Sequence, residues 1–79
     1  MQEKPFWFSR HARNRMRRDH VPREAVEECI VRPEAVISSV LERKNYWVPH
    51  EGGYLRVTIA EEPDRLVVVS VVLKARGPG

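Results

Sequence analysis

The chain has 79 residues, a net charge of +3 and a sequence pI near 9.5. That length holds one hydrophobic core and excludes two; the single Cys29 excludes an internal disulfide and a C-x-x-C metal site; and no run approaches the ~20 apolar residues of a membrane span. The expectation is one domain over residues 1–79, with 74–79 as a flexible tail, placed in the cytoplasm because residues 1–8 hold no apolar run of signal-peptide type.

Residues 4–8, short, apolar and aromatic, read as an edge strand that Pro5 can enter without costing a central ladder bond. Ser9 stands where an N-cap would, and residues 10–19 contain no Gly, Pro or β-branched residue, which predicts a helix. Phe8, Ala12 and Met16 form its narrow apolar stripe, His11, Arg15 and Arg18 share a neighbouring face, and Arg13 and Arg17 point to solvent. Pro22 suits the first turn of a second helix that runs to about Val31. Its Ala25, Val26, Cys29 and Ile30 face the core, Glu24, Glu27 and Glu28 face outward, and Arg32-Pro33 closes it.

Beyond Pro33 the apolar period changes from 3.6 to 2, which predicts strands at 35–41, 45–50, 54–61 and 65–74. Short polar turns at Arg43-Lys44, Glu51-Gly52-Gly53 and Glu62-Pro63-Asp64 suit an antiparallel meander. In the third of these strands Leu55, Val57 and Ile59 face one way and Tyr54, Arg56 and Thr58 the other. The last strand, apolar on both faces except at Ser70, reads as the central and most buried one. The fold class is therefore α+β: a short N-terminal strand, a two-helix hairpin, then a three- to four-stranded antiparallel sheet.

The charge is unevenly placed. Between residues 9 and 23 six arginines (Arg10, Arg13, Arg15, Arg17, Arg18, Arg23) face one acid, Asp19, whereas from Pro33 onward six basic and six acidic residues cancel. A cationic helix in an otherwise neutral chain points to nucleic acid as partner. His11 and Arg15, one turn apart on a helix face, form a pair suited to phosphate chemistry. Histidine can take a proton from a ribose 2′-hydroxyl or give one to a leaving oxygen, and arginine can stabilise the charge on the phosphorane. On the residues alone an equally good account makes His11 a structural hydrogen-bonding residue and the arginines a solvated face. Tyr46, His50, Tyr54 and Arg56 form a second constellation if strand alternation sets them on one sheet face, although cross-strand aromatic pairs also stabilise sheets without any ligand. Trp7 and Trp47 read as core or subunit-contact residues. His11, His20 and His50 lack the spacing of a metal site, and no phosphate-cradling glycine loop or dinucleotide fingerprint occurs, so neither metal nor cofactor is expected.

The string Phe8-Ser9-Arg10-His11-Ala12-x-x-Arg15-Met16, followed by Val21-Pro22-x-x-x-Val26-Glu27-Glu28-x-Ile30-x-x-Pro33 and then Tyr46-Trp47 and Leu55-x-Val57, resembles a bacterial domain family of unknown function. That family is similar in layout to BrnT toxins and, more distantly, to the RelE/ParE toxin superfamily. The resemblance spans nearly the whole chain and implies metal-free endoribonuclease action with His11 and Arg15 as the catalytic pair. It also implies that Arg56 and Tyr54 lie on a strand carrying functional polar residues. The family's usual R-M-x-x-R-G leads one to expect Arg at 19 and Gly at 20, where this chain has Asp19 and His20.

The leading expectation is a toxin-like RNA-binding or RNA-cleaving domain in which His11 is general acid/base, Arg15 clamps phosphate, and Arg10, Arg18, Arg56 and Tyr54 bind RNA, either free or on the ribosome. Two alternatives stay open. One is a non-catalytic module whose basic helix docks an acidic antitoxin-like partner; the other is a catalytically silent homodimer, since a core this small supplies only about 3–5 kcal/mol and gains from a second subunit.

Overall fold

The structure, a computed structural model, describes residues 4–78; Met1–Glu3 and Gly79, both within the expected domain limits, lie outside the described residues. Its order is β1 (Phe6–Phe8), α1 (Arg10–Arg18), α2 (Arg23–Val31), β2 (Ala35–Ser38), a single 3-10 turn (Val40–Glu42), β3 (Lys44–His50), β4 (Gly53–Glu62) and β5 (Arg65–Lys74). The chain is α+β as the sequence predicts, and no helix among the described residues is long and apolar enough to cross a membrane.

Ser9 caps α1 as expected. Its hydroxyl accepts the Ala12 amide at 3.0 Å and donates to the Val69 carbonyl at 3.0 Å, so one side chain both starts the helix and pins it to β5. Ala12 is fully buried, with Phe8 and Met16 packed beside it. In α2 the stripe is equally legible, with Val26 and Cys29 fully buried and Ala25 and Ile30 partly so. Both helices lie on one face of the sheet, α1 against β5 and α2 against β4 and β3. The core between these layers is built from Leu55, Val57, Ile59, Leu66, Val68 and Val71 of the two longest strands.

The sheet has five strands in the order β1-β5-β4-β3-β2. β2 to β5 form the expected antiparallel meander, and β1 adds a fifth strand, parallel to β5, with Phe6 and Phe8 turned to the core face. This pairing joins residues some sixty positions apart, which no local pattern reveals; Leu66 N–H donating to the Pro5 carbonyl at 2.9 Å extends it. Two further expectations are corrected. The middle strand is β4, whose Leu55, Val57, Thr58 and Ile59 are all buried, whereas β5 lies between β4 and β1. β2 ends at Ser38 rather than running to Leu41: the register Ser38↔Lys44 leaves residues 39–43 to reverse the chain, and Leu41 and Glu42 do so at φ 58° and 61°. The apolar pattern over residues 39–41 thus belongs to an exposed turn. Residues 75–78 do not simply trail into solvent, since Gly77 and Pro78 are half-buried and a Cβ at Gly77 would come 2.7 Å from Cζ of Tyr54.

Candidate nucleic-acid interface

α1 carries most of the excess charge, and its capping geometry sets which arginines are free. Arg10, His11, Arg13 and Arg17 are exposed, and none of these arginines has a salt bridge among the described residues. Arg15 is half-buried, and its Nε has no hydrogen-bond partner among the described residues. Arg15 and Arg18 are both drawn towards Asp19: its Oδ2 lies 3.8 Å from Arg15 Nε and its Oδ1 3.3 Å from Arg18 Nε. Only the second contact is a hydrogen bond. Asp19 therefore sits between two of the cations expected to hold phosphate. Arg23, sixth in the cationic run, is engaged by Glu27 at 2.7 Å and lies over the Phe8 ring at 4.9 Å.

The sheet face turned away from the helices holds the second group. Arg56 and Tyr54 alternate with the core residues Leu55 and Val57, so the sheet separates them from α1 and from His11, Arg15, Arg18 and Arg10. The six expected site residues thus form two surfaces. Paired residues share a face, and Arg56 is paired with Trp47 and Tyr54 with Pro49, whereas Tyr46 is paired with Val57 and His50 with Gly53. Tyr46 and His50 therefore do not join Tyr54 and Arg56; alternation sets them on the helix side, and the shared-face expectation fails for them.

Trp47 takes that place. It is 8 % exposed, Tyr54 meets its ring edge-on with centroids 6.4 Å apart, and the Arg56 guanidinium stands 5.9 Å from its ring centroid. Beside them the Thr58 hydroxyl donates to Asn45 Oδ1 at 2.7 Å. Trp47 Nε1 and Arg56 Nε are both buried without a hydrogen-bond partner among the described residues. Trp47 could have been found from the sequence by treating Glu51-Gly52 as a two-residue loop; their φ of 48° and 84° are those of a type I′ hairpin, and parity then follows.

Two clefts adjoin these surfaces. One of about 260 Å3 lies between the β3–β4 hairpin and the end of β5, lined by His50, Tyr54 and Lys74 among others. The other, about 360 Å3, lies on the helix side and is lined by Phe6, Ile30, Val31, Tyr46 and Leu66 with Lys4. Burial raises the Tyr46 phenol there, and the nearby Glu61 charge adds to it. Glu61 is itself held below the usual carboxylate range by its bond to Lys4. No group of three or more His, Cys, Asp or Glu side chains converges as a metal cage among the described residues.

Residues 8–72 match a protein family described as a domain of unknown function (DUF4258). Neither a curated protein nor a solved structure matches the chain.

Proposed function

The chain belongs to the DUF4258 family, whose function is unknown, and we propose that it is a toxin-like cytoplasmic domain that binds RNA through α1 and cleaves it without a metal. The observation that carries this reading is α1, where Arg10, Arg13 and Arg17 stand exposed with no acidic partner among the described residues, and where His11 is exposed on a neighbouring face. Unpaired cations on one helix attract a polyanion, and each phosphate contact releases counterions from the nucleic acid. The order of strand, helix pair and sheet supports a layout akin to the BrnT and RelE/ParE toxins.

In this reaction the His11 imidazole takes the proton of a ribose 2′-hydroxyl, and the 2′-oxygen attacks the adjacent phosphorus. The His11 imidazolium returns that proton to the departing 5′-oxygen, leaving a 2′,3′-cyclic phosphate and a 5′-hydroxyl end. Arg15 balances the charge that builds on the phosphorane. Arg10 and Arg18 hold neighbouring phosphates, and Arg56 and Tyr54, on the opposite sheet face, contact a separate stretch of the same RNA.

The test is incubation of the protein and of His11→Ala with total bacterial RNA in chelator, with and without ribosomes, followed by mapping of fragment ends. Cleavage by the wild type and none by the variant is expected. RNA retention without cleavage by either removes the catalytic step and keeps the binding role. Absence of both overturns the reading and shifts the weight to a module that docks an acidic antitoxin-like protein on the same cationic face.

A further inference from the structure

The two edges of the sheet are built differently. At one edge β1 is three residues long, follows Pro5, and carries Trp7 under the Arg65 guanidinium at 5.2 Å. Lys4, just before it, is tied to Glu61 and to the Glu62 carbonyl, each at 2.8 Å. Short length, proline and charge are the devices that keep an edge from pairing with another chain.

The β2 edge is preceded by Pro33 and Glu34 as β1 is by Lys4 and Pro5, but among the described residues no cation lies over its side chains as Arg65 lies over Trp7. Residues 35–41, Ala-Val-Ile-Ser-Ser-Val-Leu, contain no charge and no proline, and among the described residues no strand pairs with the outer side of β2. Val36, Ile37, Val40 and Leu41 are 44, 44, 72 and 77 % exposed. Beyond β2, Leu41 is held at φ 58°, a left-handed conformation that costs an ordinary residue about 1–2 kcal/mol. Left-handed backbone, which the reversal from β2 to β3 requires, and apolar exposure coincide at this turn.

We infer that β2 pairs antiparallel with β2 of a second copy of this chain about a two-fold axis, joining two five-stranded sheets into one. Charge selects this occupant. Centred on Val36, the pairing sets Ala35 opposite Ile37 and Glu34 opposite Ser38, each pair on one face of the joined sheet, so no like charges meet. Symmetry selects it too, because a two-fold contact closes, whereas β2 laid on the β1 edge of another copy would meet the protected edge and propagate into a filament. The four apolar residues expose on the order of 400 Å2 per copy, about half of the ~800 Å2 that each partner buries in a stable interface, which suits a dimer that forms at micromolar concentration or above.

The experiment is sedimentation of the full chain from low to high micromolar concentration, beside Ile37→Lys and Val40→Asp, with circular dichroism as the check on folding. Val40 is exposed in the turn, so its substitution removes no buried contact even if Ile37→Lys unfolds the chain. The wild type is expected at twice its 9.2 kDa mass, with folded variants at the single mass. A monomeric wild type at every concentration, a dimer that Val40→Asp leaves intact, or an open-ended series of larger species would each overturn the two-fold pairing; the last two assign contact to another surface.

Discussion

The Val21 amide donates to the Met16 carbonyl at 2.9 Å, closing α1 with a backward bond that spans six residues. His20 N–H reaches the Arg17 carbonyl at 3.4 Å inside that loop, and His20 itself stands at φ 57°. The pair of bonds is the Schellman ending, in which the left-handed position normally falls to glycine. A turn position that glycine fills at no steric cost is therefore filled here by His20, against the cost of a Cβ. His20→Gly relieves about 1–2 kcal/mol of left-handed strain and gives back about 0.5–1 kcal/mol in backbone entropy, so a net gain of under about 1.5 kcal/mol is expected, read as a higher urea midpoint at unchanged slope. A lower midpoint would show that the imidazole makes a contact worth more than the strain.

Trp47 is buried on the side of the sheet without helices, so its indole is covered mainly by neighbours on that face such as Tyr54 and Arg56. Its Nε1 has no acceptor among the described residues, so replacing the indole by a phenyl ring removes no hydrogen bond. Trp47→Phe is expected to cost less than about 1.5 kcal/mol, whereas Trp47→Ala, which opens a cavity, should cost about 3–5 kcal/mol. Urea unfolding followed by far-ultraviolet circular dichroism separates the two. A Phe variant as damaged as the Ala variant would mean that the indole N–H is in fact satisfied, by water or a ligand.

The parts of the fold governed by neighbouring residues were legible, and those governed by pairing were not. Ser9, Pro22 and Arg32-Pro33 set helix limits within a residue or so because caps and proline act locally. The alternation of Leu55, Arg56 and Val57 was equally plain. The partners of Arg56 were harder, because they depend on the hairpin loop. Counting Glu51-Gly52-Gly53 as the turn leaves the register open, and a shift of one residue exchanges Tyr46 for Trp47 on the Arg56 face. The parallel contact of β1 with β5 lies further still from any local pattern. For the candidate site, the spacing of His11 and Arg15 was visible, but their separation from Arg56 by the whole sheet was not.

Cys29 is fully buried, and its thiol lies 3.5 Å from the Tyr46 carbonyl. Burial pushes it up to about 12 from 9.0, against a smaller opposing effect of a backbone hydrogen bond from Val57. The native state therefore holds the thiol proton more tightly than the unfolded chain. Stability from this group is intact below pH 9.0 and declines as pH rises from there towards about 12. The Tyr46 phenol, raised chiefly by burial, acts in the same direction from about pH 10.0 upward. Melting temperatures of Cys29→Ala should thus fall less steeply than those of the wild type between pH 9.0 and 10.0. Parallel curves would show that the thiol does not titrate differently in the two states.

Asp19 offers one carboxylate oxygen to Arg18 and the other to Arg15, so any phosphate that engages those guanidiniums competes with it. Asp19→Asn removes the competing charge while keeping the side chain's shape. The ion pairs it gives up are partly exposed and worth about 0–1 kcal/mol, and an acid at the negative end of a helix is itself unfavourable, so little stability is at stake. RNA binding is expected to tighten, and the slope of log K against log salt to steepen by about 0.7 for each phosphate newly neutralised on a single strand. Anisotropy of a labelled single-stranded RNA over a salt series reads both. Arg15→Ala should cancel part of the gain if the two residues share one phosphate, whereas Arg56→Ala, across the sheet, should add independently. An Asp19→Asn protein with unchanged affinity and slope would remove Arg15 and Arg18 from the RNA contact and leave Arg10, Arg13 and Arg17 to carry it.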